Sequence, residues 1–183
     1  MARLIILDRD GVINFDSPAF IKSPEEWHPI PRALEAIALL KADGWLVAVC
    51  SNQSGVGRGL ITPDALDGIH EKLRQALSPL GVRLDGLAFC PHRPEDDCRC
   101  RKPRPGMLTD MMESLGVGPE QTVVIGDSIR DIQAGQAAGC RCMLVRTGNG
   151  AACEGAVRAL GVDAVCDDLW SAAMTLRGST PCS

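Results

Sequence analysis

A three-layer α/β fold around a parallel β-sheet is expected of this chain. Short aliphatic runs alternate with amphipathic segments of helical period from end to end, the pattern of strand–helix–strand units. Several runs are apolar throughout, as in Leu4-Ile5-Ile6-Leu7 and Trp45 to Cys50, which suits parallel strands covered by helices on both faces. With 183 residues, 45% hydrophobic and 23% charged, one real core can form, and a single domain over 1–183 is expected.

Leu4 to Leu7 is the first strand. Pro31 to Asp43 reads as a helix, with proline in its first turn, Leu34, Ile37, Ala38 and Lys41 at helical spacing, and Gly44 ending it. Trp45 to Cys50 is the second strand. Thr62-Pro63 opens a helix through Leu77, with Leu66, Ile69, His70 and Leu73 along one side. A third strand spans Gly86 to Cys90 and a helix Gly106 to Leu115. Thr122 to Ile125 is a strand, Ile129 to Ala138 a helix closed by Gly139, and Cys142 to Val145 a further strand. A short helix near Ala156, a weak strand near Ala164 and a helix from Leu169 to Leu176 complete the series.

The net charge of −4 offers no global attraction to nucleic acid or to an anionic membrane, and three Phe, three Trp and no Tyr leave little for base stacking. No apolar stretch nears the roughly 20 residues that span a bilayer, and the strand at the N-terminus shows no signal-peptide pattern. The expectations are a cytoplasmic protein, a monomer, and a small-molecule partner. Nine cysteines, an odd count without framework spacing, point to metal ligation or burial rather than disulfides.

Four clusters stand at four strand ends. Asp8-Arg9-Asp10-Gly11 places two carboxylates in a glycine-relaxed turn, where they can hold a hard cation, attack an electrophile and move protons. Ser51-Asn52-Gln53-Ser54-Gly55 offers a hydroxyl, amides and backbone N–H groups suited to phosphate oxygens. Arg101-Lys102-Pro103 can neutralise a phosphoryl group. Gly126-Asp127-Ser128 carries a further acid, with Asp131 one turn into the next helix, able to support Asp127 at a cation. Each cluster alone suits a turn, a cap or a solvated loop. Ligand sites of open α/β sheets lie beyond the carboxyl ends of the strands, so together the four supply the parts for phosphoryl transfer through an aspartyl phosphate.

Cys90, His92, Cys98 and Cys100 form C-x-H-x5-C-x-C within eleven residues, a set able to close a tetrahedral Zn2+ site. Four ligands with no open position indicate a structural ion stiffening the loop 90–100, which leads straight into Arg101 and Lys102. Cys140 and Cys142 lack a partner pair and are expected in the core; His28 and His70 are expected not to be ligands.

In that order the motifs resemble the haloacid dehalogenase superfamily of phosphatases, over Leu4 to about Gly148. The resemblance implies a Rossmann-like parallel sheet of that type, with Asp8 as nucleophile and Asp10 as general acid and then base. It also implies Mg2+ held by the Asp8 side chain, the Asp10 carbonyl and Asp127, with Ser51 and Lys102 on the phosphoryl oxygens. Superfamily cap domains enter after the first motif or between the second and third. Only forty residues separate Asp10 from Ser51 and fifty separate Ser51 from Lys102, so no cap is expected. Phe15 to Glu26, Gly55 to Leu60 and the zinc loop should wall an open site.

The strings DRDGVIN, SNQSGVGRG, FCPHRPEDDCRCRKPRPGM and GDSIRDIQAG are similar to two zinc-loop groups. One acts on D-glycero-D-manno-heptose 1,7-bisphosphate for lipopolysaccharide or surface-glycan precursors, the other on histidinol phosphate; the wording is nearer the first. A second phosphate needs cations away from the metal, foremost Arg101, with Arg58, Lys22 and Arg146 as helpers. A histidinol amine would instead use Asp16, Glu25 or Glu26. Some heptose phosphatases carry lysine where this chain has Ser128, which leaves a substrate contact there open.

Overall fold

The computed structural model describes residues 1–178. Six parallel strands form one sheet: β1 (Arg3–Leu7), β2 (Trp45–Asn52), β3 (Gly86–Cys90), β4 (Thr122–Gly126), β5 (Arg141–Val145) and β6 (Ala164–Cys166), in the order β3-β2-β1-β4-β5-β6. Among the described residues seven α-helices accompany them: α1 (Ala33–Ala42), α2 (Ser54–Gly57), α3 (Pro63–Leu77), α4 (Gly106–Leu115), α5 (Ile129–Ala137), α6 (Gly150–Ala159) and α7 (Leu169–Gly178).

The three layers follow from side-chain alternation along buried strands. Ile5, Leu7, Val47, Val49, Val123 and Ile125 pack on one face with Ile37 of α1, Ile69 of α3 and Leu176 of α7. Leu4, Ile6, Ala48, Val124 and Leu144 face the other way, against Met107 and Leu108 of α4, Ile132 of α5 and Val157 of α6. The chain moves outward from β1 to β2 and β3, then returns to the other side of β1 at β4. That reversal opens a crevice beyond the C-terminal ends of β1 and β4.

The expected elements are present, with three differences. The first helix starts at Ala33, not Pro31, because Arg32 adopts a left-handed backbone (φ 63°), which no right-handed helix can contain. Its guanidinium lies 3.7 Å from the centre of the Trp170 ring. The buried stripe of α1 is accordingly Ala33, Ala36, Ile37 and Leu40. Second, β2 runs on through Ser51 and Asn52, which pair with Phe89 and Cys90 of β3; pairing to a neighbour, not apolar periodicity, sets its end. Third, the short α2 follows directly on the Ser-Asn-Gln cluster.

Between Asp10 and Ser51 lie a 3-10 turn (Pro24–Glu26) and α1; between Ser51 and Lys102 lie α2, α3, β3 and two further 3-10 turns. Among the described residues neither segment carries a sheet or bundle of its own.

Candidate active site

All four clusters meet in one cleft of about 350 Å³, lined by Asp8, Asp10, Ser51, Asn52, Gln53, Ser54, Arg101, Lys102, Asp127, Ser128 and Asp131. Asp8 and Asp10, the acids expected to do chemistry, line it with Ser51 to Ser54, Arg101 and Lys102.

Asp8 leaves β1 with its backbone N–H bonded to Ile125 O of β4 (3.0 Å), which ties the first motif to the fourth. Lys102 arrives from the loop after β3, almost fully buried. Its ammonium lies 3.1 Å from Asp8 Oδ1 and 2.6 Å from Asp131 Oδ1 and donates to Cys50 O (2.8 Å). Burial opposes that charge, but Asp131 and Asp8 outweigh it and raise the lysine pKa above its ordinary value.

Asn52 fixes the lysine's backbone. Its Nδ2 donates to Lys102 O (3.0 Å) and its Oδ1 accepts from Lys102 N (3.1 Å). Both ends of that amide are engaged by the protein itself. Gln53 Nε2 likewise donates to Ser51 Oγ (2.9 Å) and Asp10 Oδ2 (2.8 Å). These two amides therefore align Lys102, Ser51 and Asp10.

Asp127 lies under a pair of glycines. Gly11 (φ +80°) and Gly148 (φ +59°) both carry left-handed backbones, and a Cβ on either would collide with the Asp127 carboxylate. Asp127 Oδ2 accepts from Asn149 N (2.8 Å) and Nδ2 (3.2 Å). Asp131 turns to structural use: its Oδ2 accepts from Ser128 N (3.0 Å) and Oγ (2.6 Å) at the start of α5, while its Oδ1 holds Lys102.

Ligand oxygens of Asp8, Asp127 and Asp131 lie within 4.8 Å of one another, and three carboxylates so close suit a hard divalent cation. Burial pushes Asp8 up to about 6; Lys102 opposes it, and repulsion from Asp131 and Asp10 adds to it. Burial with repulsion from Asp8 and Asp131 pushes Asp127 to about 7. Asp10 goes the other way: burial opposes its charge, but Arg9 and the bonds from Asn14 and Gln53 hold it below the usual carboxylate range.

Cys90, His92, Cys98 and Cys100 converge as a second cluster. His92 Nδ1 lies 3.5 Å from Cys90 Sγ and 3.3 Å from Cys100 Sγ, and the sulfurs are 3.3 to 3.6 Å apart. Four ligands about 2.3 Å from a central ion sit about 3.7 Å from each other, so this donor set fits a tetrahedral zinc. Arg101 Nη1 donates to His92 O (3.1 Å), which joins the cluster to the cleft wall. Cys140 and Cys142 are buried in the core.

Sequence reasoning passed over several lining residues. Arg130, from the first turn of α5, lines the cleft with Arg101 and Arg58; burial and then the charges of Arg130 and Arg58 lower the Arg101 pKa. Asn149 follows β5, a fifth strand end whose Thr-Gly-Asn turn was the available signal. Of the other expected helpers, Lys22 is turned to Ala19 O and Glu26, and Arg146 grips Glu154 and Asp167. Neither lines the cleft. Asp16 does, together with Ser17, Phe20 and Ile21, whereas Glu25 and Glu26 do not. No helix among the described residues is long and apolar enough to cross a membrane.

A HAD-hydrolase-like family model matches residues 99–172. The D-glycero-beta-D-manno-heptose-1,7-bisphosphate 7-phosphatase of Bordetella bronchiseptica is 49% identical over 148 residues, covering 81% of this chain and 83% of that protein. Its counterpart in Pseudomonas aeruginosa is 47% identical over 158 residues, with 86% and 85% covered. The crystal structure of the B. bronchiseptica D,D-heptose 1,7-bisphosphate phosphatase, complexed with magnesium and phosphate, matches with a TM-score of 0.90 at 44% identity, over 97% of this chain and 99% of that one. That of the Burkholderia thailandensis phosphatase matches at 0.73 and 37% identity, with the same coverage. The chain belongs to the haloacid dehalogenase-like hydrolases, in the family that holds these heptose-bisphosphate phosphatases.

Proposed function

We propose that this chain is a phosphoric monoester hydrolase that removes the 7-phosphate of D-glycero-D-manno-heptose 1,7-bisphosphate, acting in the supply of lipopolysaccharide or surface-glycan precursors. The observation that carries the reading is one cleft with an Asp8–Lys102 pair 3.1 Å apart on its floor and Arg58, Arg101 and Arg130 on its wall. One end suits a reacting phosphoryl group, the other a second phosphate. The histidinol-phosphate alternative is set aside, because the relatives carry the heptose name and the cationic wall favours a second anion over an amine.

In this reading an Asp8 carboxylate oxygen attacks phosphorus, and the bond from phosphorus to the sugar C7 oxygen breaks. Lys102 and Ser51 hold the non-bridging oxygens as their charge redistributes. Asp10, ionised at rest, takes up a proton from solvent as the substrate enters and passes it to the departing C7 oxygen; as a carboxylate again, it then takes one from the water that hydrolyses the Asp8 acyl phosphate and releases inorganic phosphate. Asn52 and Gln53 act by alignment, Ser54 by closing the phosphate-facing turn, and Arg101 by drawing the second phosphate. The Asp8 and Asp127 carboxylates and the Asp10 carbonyl would hold Mg2+, which when bound would screen the phosphoryl charge. Zn2+ fits Cys90, His92, Cys98 and Cys100 and would fix the Arg101 wall. The chain is proposed to work as one domain and as a monomer. The cytoplasm is the proposed compartment, since eight free cysteines among the described residues suit a reducing milieu.

The test is kcat/KM with Mg2+ on the α and β heptose bisphosphates against histidinol phosphate. A preference on the order of a hundredfold, ~3 kcal/mol of transition-state discrimination, is expected for a bisphosphate, and for the β anomer if the relatives' names transfer. Equal or better turnover of histidinol phosphate would overturn the substrate and keep the chemistry.

Acids whose folded pKa is raised favour the folded state when protonated. With Asp8 near 6 and Asp127 near 7, the contribution of these two acids to metal-free stability is full below about pH 4 and is lost as pH rises through those two values. Millimolar Mg2+ should therefore raise Tm little at pH 5 and clearly at pH 8. A gain independent of pH would remove these carboxylates as the binding groups.

Replacing Cys98 with alanine opens the thiolate cluster beside Arg101. Zinc content and Tm should fall, with kcat/KM down on the order of tenfold to a hundredfold through misplaced cations. Lost zinc with unchanged kcat/KM would show that the loop does not position the cleft wall.

A further inference from the structure

Arg9 is fully buried, and the mechanism above gives it no task. Its Nε donates to Asp10 Oδ1 (2.9 Å) and its Nη2 to Asp10 Oδ2 (3.0 Å), a two-pronged grip that fixes the plane of the carboxylate. Asn14 Nδ2 adds a bond to Oδ1 (2.9 Å) and Gln53 Nε2 one to Oδ2 (2.8 Å). The Arg9 fork has one arm left, Nη1, and it points to His70 Nε2 at 3.4 Å.

His70 is buried on α3, with its ring 5.6 Å from that of Phe89 on β3. A ring nitrogen facing a guanidinium must be the unprotonated one, because Arg has donors and no acceptor. Burial, followed by the Arg9 and Arg74 charges, pushes His70 down to about 4, which keeps the ring neutral and Nε2 an acceptor. Without that acceptor, Arg9 Nη1 would be a desolvated donor facing apolar surroundings, and the guanidinium would swing to find a partner.

We propose that His70 is a positioning residue for Asp10: by accepting from Arg9 Nη1 it orients the fork that aims the Asp10 carboxylate. The proposal rests on the reading of Asp10 as the acid and base of the reaction. It gives α3 and β3, which contribute no group to the phosphoryl site, control over proton transfer.

The test compares His70→Leu, which removes the acceptor, with His70→Gln, whose Oε1 can replace it. Each is assayed on a sugar bisphosphate, whose alkoxide needs a proton to leave, and on p-nitrophenyl phosphate, whose phenolate does not. For His70→Leu, kcat/KM should fall about tenfold on the bisphosphate, with KM within about twofold, and by no more than about twofold on the aryl ester. A burst of p-nitrophenolate should precede its steady state, because the misaimed Asp10 is slow to activate water. His70→Gln should recover most of the loss. Arg9→Lys keeps the charge, breaks the fork and should reproduce the leucine pattern, which secures the result if His70→Leu does not fold.

Equal losses on both esters, or leucine and glutamine variants that behave alike, would overturn the proposal. Asp10→Asn is the reference. If it shows the alkyl-selective loss and His70→Leu does not, the positioning role fails alone; if Asp10→Asn shows none, the reading of Asp10 fails with it.

Discussion

Asp8→Asn loses turnover by a factor on the order of 10⁴ or more, while its fold is retained. The size follows from the chemistry: a neutral amide cannot form the acyl phosphate, and what remains is the catalysis of an intact binding site. Retention of the fold follows from the surroundings. Asp8 is a buried acid pushed up to about 6, chiefly by desolvation, so an isosteric neutral group removes the cost of burying a charge at pH 8. The variant's Tm in Mg2+-free buffer at pH 8 is expected to match or exceed that of the unaltered chain. It should also show a smaller Tm gain on adding Mg2+, having lost one carboxylate of the cation site. Steady-state turnover within a hundredfold of the unaltered chain would refute the nucleophile assignment.

Lys102→Met strikes both activity and stability. The ammonium sits between Asp8 and Asp131, at 3.1 and 2.6 Å, and methionine fills much of its volume without its charge. Removing one partner of a buried charge cluster costs about 3–5 kcal/mol, because the remaining charges stay buried and uncompensated. The sign of the pH effect follows from Asp8. Loss of the lysine removes the influence that lowers the Asp8 pKa, so the folded variant binds its proton still more tightly. Its deficit should be largest at pH 8 and shrink as pH falls through 6 toward 5. Urea unfolding at the two pH values measures it, and an equal deficit at both would remove the electrostatic account. Turnover should fall by about 10³-fold or more, as expected when a fixed donor to a reacting phosphoryl group is lost.

The two variants separate roles that one cleft combines. Asp8→Asn removes reactivity and eases the folded state, whereas Lys102→Met removes reactivity and strains it. A site built to hold three acids within 4.8 Å is costly to fold without its cations, and among the described residues Lys102 is the cation that pairs with two of them.

Much of this architecture was legible from composition and order. Continuous aliphatic runs specify buried parallel strands, and Asp8, Ser51 and Asp127 stand directly at the ends of theirs, so their placement at one sheet edge follows from chain order; Lys102 lies twelve positions beyond Cys90, the end of β3, and needs the loop and Asn52 to bring it back. The zinc-fitting loop was legible for a similar reason: four ligands within eleven residues have few other ways to satisfy their polarity. Local signals failed where a long-range contact decides. Arg32 departs from helical geometry beside Trp170, 138 positions further along the chain. Asn52 looks like a phosphate donor until its amide is seen engaged with the Lys102 backbone.

The sequence by itself determined the fold class, the reaction type and the four strand-end clusters that meet in the cleft, because hydrophobic periodicity and strand-end chemistry are properties of neighbouring residues. Only the tertiary structure decided how those residues divide the work. Asp131 serves Lys102 and the α5 cap, Gln53 serves Asp10 and Ser51, Arg130 joins the cationic wall, and Arg9 reaches across 61 positions to His70. The physical reason is that a buried polar group must find partners wherever packing brings them. Which donor meets which acceptor is set by the way sheet and helices close around the site, at separations that no local pattern records.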